Sequence, residues 1–280
     1  MKKPLLFALL LAACGGSSSS SLDGSAHQDG STQSKDDQGS STSGDQPSAL
    51  DVLSPGVTAV SIEVDYATNA APYVGSGGFG QGDTWQITED NLARIFQKSP
   101  KTLSVPHTLD KMQALTDVSG STYTTDQILS IAKSHRDTSP SSGAAASFYI
   151  LFLDGYLSDS GGTEMNVIGV SIGNTGVIAM FKPVIASAGT GLGGSAMNLE
   201  QSTLVHELGH ALGLVNNGVA LTSQHQDTAH GAHCTNTKCI MYWENEGESS
   251  AAAFAQQALA GGSDILYGAE CLADIDAVAH

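Results

Sequence analysis

Five of the nine histidines in this 280-residue chain lie between positions 206 and 233. His206 and His210 are four residues apart, so on a helix both imidazoles lie on one face, where they can bind a single Zn²⁺ ion. Glu207 projects beside them and can take a proton from a water molecule that the ion activates. Apolar residues flank the motif on both sides, as in a buried metal-binding helix. This spacing predicts hydrolytic zinc chemistry with Glu207 as the general base.

A catalytic zinc ion needs a third protein ligand. Through Gly213 the chain reads HExxHxxG, which resembles the metzincin zinc peptidases. In that family the glycine turns the chain sharply, and a histidine three residues later binds the metal. Here Asn216 occupies that position, and a neutral amide is a poor zinc ligand compared with imidazole. We therefore expect the third ligand later in the chain.

A second motif, His233-Cys234-x4-Cys239-x-Met241, resembles the segment that directly follows the zinc helix in the archaemetzincins, a metzincin subfamily. In this chain 17 additional residues, 216–232, separate the two parts of that signature. The resemblance implies that His233 is the third zinc ligand. It also implies that Met241 is the Met-turn residue, an apolar floor beneath the metal.

The intervening loop and the cysteines leave alternatives open. Three further residues are candidates for the third ligand, or for a second metal ion in the 225–233 loop: His225, Asp227 and His230. In archaemetzincins the two cysteines join a later CxxC around a structural zinc ion, whereas this chain has only Cys271 in that region. Because an exported protein meets an oxidising compartment, we expect a disulfide between Cys234 and Cys239. The alternatives are that Cys271 is the true partner of one of these two cysteines, or that a Cys₃His zinc site forms.

The N-terminus predicts export. Two lysines and a seven-residue apolar run precede Cys14, and this stretch is too short to span a membrane. It resembles the signal peptide of bacterial lipoproteins, which implies cleavage after residue 13 and lipidation of Cys14. Gly15 follows the cysteine, and in that family this implies the outer membrane, on its periplasmic or cell-surface face. Residues 14–48 are rich in Ser and Gly and predict a disordered tether, followed by a metallopeptidase domain over 49–280.

The pattern of apolar residues predicts the elements that position the motif. Alternation over 57–65 and the apolar run 147–153 predict strands, and 166–172 with 176–181 predict a hairpin or an edge strand beside a cleft. The segments that predict helices are 88–97 with Thr88 as its N-cap, 125–134, 195–215, 251–260 and 263–279. Strands followed by helices favour the α+β class. The metzincin resemblance implies a twisted, mostly antiparallel-edged sheet with a zinc helix and C-terminal helices.

The net charge of −17 excludes one large class of partner. Nucleic acid binding requires clustered Lys and Arg, and this chain has 11 such residues against 28 Asp and Glu. The sequence as a whole predicts a monomeric, lipid-anchored, extracytoplasmic zinc metalloendopeptidase that acts on peptides or proteins. The alternative is an inactive zinc-binding adhesion lipoprotein with the same fold.

Overall fold

A computed structural model of the protein describes residues 48–76, 82–189, 195–246, 251, 253–254 and 265–279. The predicted signal peptide and nearly all of the predicted tether lie outside these residues, as does most of the helix predicted over 251–260. Among the helices within the described ranges, none is both long and apolar enough to cross a membrane.

The described chain forms two sheets. The strands, in chain order, are β1 (Ala59–Ala67), β2 (Thr102–Ser104), β3 (Gln113–Leu115), β4 (Thr122–Tyr123), β5 (Ser141–Ser142), β6 (Ala145–Leu153), β7 (Tyr156–Asp159), β8 (Gly162–Glu164), β9 (Gly169–Ile172) and β10 (Val177–Phe181). The larger sheet has the order β2-β1-β6-β10-β9, with β3 pairing with β1 and β5 with β6. The smaller sheet has the order β4-β7-β8.

The larger sheet is mostly parallel. Strand β1 pairs in parallel with β2, β3 and β6, and β6 pairs in parallel with β10. Strand β9 is antiparallel to β10 and ends the strand order at one edge. The predicted hairpin and its edge strand are therefore confirmed. The expected order of strands first and helices afterwards is wrong, because parallel neighbours require long crossovers, and helices lie within them.

Strand β6 is the centre of the core. It lies between β1 and β10, and each of its residues from Phe148 to Leu153 is 0% exposed. A strand covered on both faces needs a continuous apolar sequence, which is why the apolar run at 147–153 predicted this strand correctly. The strand predicted over 57–65 is β1, which begins and ends two residues later.

Six α-helices accompany the strands in the described ranges. They are α1 (Ala49–Leu53), α2 (Gln86–Ile95), α3 (Thr125–His135), α4 (Lys182–Gly189), α5 (Ser195–Ala211) and α6 (Ala269–Val278). Helix α5 contacts β9 and β10 as well as α2 and α4, and α3 contacts β6, β7 and β10. This packing places the helix that carries the histidine motif directly against the antiparallel edge of the sheet.

Local sequence signals predict the first residue of helix α3 correctly but that of helix α2 incorrectly. Helix α3 begins after Thr124, whose side chain forms a capping box with Gln127, as the sequence pattern indicates. The predicted N-cap Thr88 is wrong, because α2 begins two residues earlier, at Gln86. Thr88 is instead buried inside the helix, where its hydroxyl donates a 2.7 Å hydrogen bond to Gln201 of α5. A tertiary contact thus replaces the local cap.

Candidate metal centre

Helix α5 brings the first two histidines and the glutamate into the protein interior. His206 is 1% exposed and Glu207 is 4% exposed, and apolar residues before and after them pack into the core. The Nε2 atoms of His206 and His210 lie 3.0 Å apart. The spacing of four residues therefore places both rings on one face, as the sequence predicted.

His233 completes a group of three imidazoles. Its ring centroid lies 5.4 Å from that of His206 and 4.9 Å from that of His210. One ligand nitrogen from each of the three rings lies within 4.8 Å of the other two. We call this group the His site. Three imidazoles that converge in this way form a donor set that suits Zn²⁺ and leaves a fourth position for water or substrate.

Backbone carbonyls fix two of the rings. The Nδ1 atom of His206 donates a 2.7 Å hydrogen bond to the carbonyl oxygen of Ile240, and Nδ1 of His233 donates to the carbonyl oxygen of His230. A proton held on Nδ1 leaves Nε2 with the lone pair that binds a metal. Both rings are thus held in the tautomer and orientation of metal ligands.

The chain leaves α5 through a tight turn, and this turn excludes Asn216 from the His site. Gly213 has a φ of 77°, and Val215 and Asn216 also have positive φ values, of 52° and 64°. Asn216 is exposed, and its amide donates a 3.1 Å hydrogen bond to Gln226. The structure therefore brings together the histidines that the two motifs supply and leaves the residue at position 216 outside.

Met241 packs directly beneath the motif helix. It is 0% exposed, and a Cβ atom added to Gly209 would collide with its sulfur atom. Glycine at position 209 therefore allows the methionine to approach the helix between the two histidines. This position agrees with the apolar floor that the sequence resemblance implied.

The remaining loop candidates lie outside the His site. His230 donates from Nδ1 to Asp227 at 2.8 Å, and its ring stacks on Trp243 with centroids 4.0 Å apart. This hydrogen bond lowers the pKa of Asp227. The backbone of the same two residues supports His233, because Asp227 N–H donates to the His233 carbonyl oxygen at 2.7 Å. They therefore hold the third histidine in place through the main chain.

The expected disulfide between Cys234 and Cys239 is not formed. Both cysteines are free thiols, as is Cys271 on α6, and all three are buried. The Sγ atoms of Cys239 and Cys271 lie 3.5 Å apart, far longer than the roughly 2.05 Å of a disulfide bond. A fourth side chain, His225, adjoins the three thiols, with its Nδ1 3.4 Å from Cys234 Sγ. We call these four residues the sulfur site.

The sulfur site supplies the donor types of a tetrahedral Cys₃His zinc site. Zinc bonds of about 2.3 Å to sulfur and about 2.0 Å to nitrogen give separations around a tetrahedron of about 3.5 Å between nitrogen and sulfur and about 3.8 Å between two sulfur atoms. In the sulfur site the nitrogen-to-sulfur separation is 3.4 Å and the sulfur-to-sulfur separation is 3.5 Å, both close to these values. One donor atom each from His225, Cys234 and Cys271 lies within 4.8 Å of the other two. The residues present therefore fit the Cys₃His alternative.

Hydrogen bonds link the sulfur atoms of this site to one another and to nearby backbone N–H groups. The Cys239 and Cys271 thiols and the backbone N–H of Asn236 hold the pKa of Cys234 far below its usual value. The backbone N–H of Gly268 donates to Cys239 Sγ at 3.0 Å. Zinc binds the thiolate form of cysteine, and this network favours that form at Cys234, whereas the hydrogen bonds to Cys234 raise the pKa of Cys239 and Cys271.

Asp274 orients the imidazole of the sulfur site, and sequence reasoning missed it. Its carboxylate is 0% exposed and accepts a 2.7 Å hydrogen bond from His225 Nε2. Burial opposes the charged imidazolium, but the hydrogen bonds to Asp274 and Cys234 hold the pKa of His225 above its usual value. An acidic residue one turn after Cys271 on a predicted helix was the signal available. Only the fold brings it to His225, 49 residues earlier.

Comparisons with known proteins find distant structural neighbours. No protein-family model and no curated protein sequence matches the chain. A zinc-dependent peptidase from Methanocorpusculum labreanum has a TM-score of 0.41 and 12% identity, covering 77% of this chain and 99% of its own. An archaemetzincin from Methanopyrus kandleri has a TM-score of 0.35 and 13% identity, covering 73% of this chain and 97% of its own. Similarity at this level assigns no function, which has to be argued from the side chains.

Proposed function

We propose that the chain is a zinc-dependent endopeptidase that hydrolyses peptide bonds at the His site. The observation that supports this most directly is the convergence of His206, His210 and His233, together with the buried Glu207, which follows His206 on α5. A purely structural metal site has no use for a buried carboxylate beside its ligands. The enzymatic proposal explains this residue, which the alternative of a zinc-binding adhesion protein does not.

His206, His210 and His233 would hold the zinc ion, which would supply a Lewis acid for the peptide carbonyl and lower the pKa of a bound water toward neutrality. In our proposal Glu207 accepts the proton that this water loses and then delivers it to the leaving amine nitrogen. The Ile240 and His230 carbonyls keep the His206 and His233 rings from rotating during these steps. Burial of Glu207, which is 4% exposed, limits competing proton exchange with bulk solvent.

Strand β9 is the proposed binding edge for an extended substrate. It ends the strand order of the larger sheet, and it lies close to the proposed general base. A Cβ atom added to its first residue, Gly169, would lie 3.1 Å from Cγ of Glu207. An extended peptide can add to such an edge through main-chain hydrogen bonds. This mode of binding supports action on peptides or unfolded protein segments rather than on one sequence.

The substitution Glu207→Gln tests the enzymatic proposal. It keeps the size of the side chain but removes the proton acceptor, so we expect zinc to be retained and hydrolysis to fall by at least about 100-fold. The assay measures cleavage of casein or a peptide library with and without a zinc chelator. The matched control is Glu164→Gln on β8, which makes the same change in the smaller sheet and should leave cleavage unchanged.

Two outcomes would contradict this function. An active Glu207→Gln protein would exclude Glu207 as the base. Wild-type protein that binds zinc but cleaves no member of a broad peptide library would favour the adhesion alternative. In either case the metal content, measured separately by atomic absorption, still reports on the His site itself.

We further propose that the domain works outside the cytoplasm as a lipid-anchored monomer. The proposal rests on the signal-like segment 1–13, on Cys14 and on the Ser/Gly-rich segment that follows. Acyl chains would hold the protein at the membrane because each buried methylene contributes about 0.8 kcal/mol. The outer membrane is the proposed location because Gly15, and not Asp, follows the cysteine.

A further inference from the structure

The His site and the sulfur site share one short piece of chain. Cys234 directly follows His233, and Cys239 directly precedes Ile240, whose carbonyl oxygen holds His206. Residues 233–241 therefore carry two ligands of the sulfur site and, immediately beside them, two parts of the His site. Any force that fixes the two sulfur atoms also fixes a zinc ligand and the carbonyl that orients another.

Backbone hydrogen bonds close this piece of chain into a compact loop. Cys234 N–H donates to the Met241 carbonyl oxygen at 2.7 Å, and Cys239 N–H donates to the Asn236 carbonyl oxygen at 2.9 Å. The Asn245 side chain donates to the carbonyl oxygens of Cys239 and Ile240, both at 3.0 Å. Because its ends are held together, a displacement of the cysteines moves the whole loop, including Met241 beneath α5.

The other two ligands of the sulfur site come from separate parts of the fold. Cys271 lies on α6, and His225 lies in the loop before His233, where the buried Asp274 of α6 holds it. Asp274 also accepts hydrogen bonds of 2.6 Å and 2.7 Å from the backbone N–H and hydroxyl of Thr222. A metal ion in the sulfur site would therefore join the 233–241 loop to α6 and to the segment around 222–225.

We propose that a divalent metal ion in the sulfur site raises the zinc affinity of the His site, through the 233–241 loop. This inference rests on the proposed zinc function. A cation can bind the cysteines of the loop together with His225 and Cys271 only when these side chains converge as they do here. That loop position is also the one that presents His233 and the Ile240 carbonyl to the His site. The two sites are thus coupled and, because binding linkage is reciprocal, each should strengthen the other equally.

The test is a titration of the purified full-length protein with Co²⁺ and then with Zn²⁺. Among the described residues, thiolate-to-cobalt charge-transfer bands can arise only from the sulfur site, because the His site contains no sulfur, so the two occupancies are read separately. We expect wild-type protein to show these bands. The zinc affinity of the His site is then measured by competition with a chromogenic chelator while the sulfur site is loaded.

Cys271→Ser is the variant that separates the sites, because Cys271 lies on α6 and outside the 233–241 loop. We expect it to lose or strongly weaken the charge-transfer bands and to lower the zinc affinity of the His site by roughly 5- to 150-fold. A second variant, Asp274→Asn, leaves all four ligands present and should weaken both affinities less than Cys271→Ser does. Gly143→Ala, at an exposed turn with open space around it, is the control for a small general loss of stability.

Three results would overturn the proposal. The first is wild-type protein that binds metal at the His site without any thiolate-to-cobalt bands. The second is Cys271→Ser or Asp274→Asn protein that lacks the bands but binds zinc at the His site within twofold of wild type. The third is a failure of reciprocity, in which His233→Ala leaves the affinity of the sulfur site unchanged. If Cys271→Ser does not fold, Asp274→Asn and the reciprocal measurement still decide. The quantities measured are metal affinities, so they test the coupling of the two sites whether or not peptide cleavage is observed.

Discussion

At the scale of single residues, His206 and His233 show how a backbone carbonyl determines which ring nitrogen of a histidine can bind a metal ion. Each ring donates its Nδ1 proton to a carbonyl oxygen, so only Nε2 remains as a metal-binding atom. The identity of the ring was visible in the sequence, but its partner carbonyl was not. Any residue at 230 or 240 offers a carbonyl, so no pattern of side chains reports this contact.

Removal of the third imidazole is the direct test of this arrangement. We expect His233→Ala to lose about one equivalent of zinc, because two imidazoles alone do not complete a zinc site of the usual three protein ligands. Atomic absorption on dialysed protein measures the loss. His230→Ala is the matched control, because it keeps the carbonyl that holds His233 and should retain the zinc. Loss of zinc in the control but not in His233→Ala would show that the wrong histidine was assigned.

The burial of Asp65 leads us to expect a measurable pH dependence of the free energy of unfolding. It is 1% exposed, and burial raises its pKa from 3.8 to about 6, although the Tyr149 hydroxyl opposes the shift by donating a 2.6 Å hydrogen bond. The folded state therefore binds the Asp65 proton more tightly than the unfolded state does. The resulting stabilisation is present at low pH and is lost as the pH rises from about 3.8 to 6.

Comparison with Asp65→Asn isolates this contribution. Between pH 4 and pH 7 we expect the free energy of unfolding of wild type to fall by roughly 2 to 3 kcal/mol relative to the variant. Urea denaturation at a series of pH values measures the difference. Asp126→Asn, at an exposed position on α3, serves as the control, and its curve should run parallel to wild type. Parallel curves for Asp65→Asn and wild type would refute the assignment.

At the scale of elements, the end of α5 decides where the chain goes after the motif. Gly213 has a φ of 77°, and a Cβ atom there would lie 2.6 Å from Ala49 Cβ of α1. Its N–H also donates to the His210 carbonyl oxygen at 3.0 Å. The glycine in the motif is thus required both for its conformation and for close packing of α1.

Gly213→Ala should therefore destabilise the protein for two separate reasons. The left-handed conformation costs roughly 1 to 2 kcal/mol for a residue with a side chain, and overpacking against α1 adds about 1 to 3 kcal/mol. Gly143→Ala is the matched control, because Gly143 has a φ of 60° and nothing within 4 Å of an added Cβ. Chemical denaturation compares the two. If Gly213→Ala and Gly143→Ala lose the same free energy of unfolding, the contact with Ala49 does not contribute to the destabilisation.

At the scale of the whole molecule, the acidic surface and the N-terminal segment describe how the domain would be held at a membrane. With a net charge of −17, the protein has no electrostatic attraction to anionic lipid headgroups. The membrane anchor that we propose is therefore covalent lipid and not a charge patch. In this proposal the acidity would keep the domain soluble beside the membrane.

Cys14→Ser tests this anchor in a Gram-negative host. We expect the variant to lose incorporation of labelled palmitate, because the thiol that would carry the lipid is gone. Gly15→Asp is the matched control. By resemblance to bacterial lipoproteins, it should keep the label and move the protein from the outer to the inner membrane fraction. Labelled palmitate in the Cys14→Ser protein would exclude Cys14 as the lipidation site.

The sequence alone determined the elements with strong periodicity and the motif on α5. The apolar run of β6, the hairpin of β9 and β10, and the i, i+4 histidines follow from local patterns, because each depends on residues within one element. The placement of His233 followed from a resemblance between motifs. None of these inferences required a contact between distant segments.

The tertiary structure decided everything that depends on distant segments meeting. The parallel strand order, the position of Thr88 inside α2 and the state of the cysteines all differ from expectation for this reason. Cys234 and Cys239 are close in sequence, which is why we expected a disulfide between them. In the fold, His225 contacts Cys234 from nine residues earlier in the chain, and Cys271 contacts Cys239 from 32 residues later. Local chemistry suggests which groups are reactive, whereas the fold determines which of them share a site.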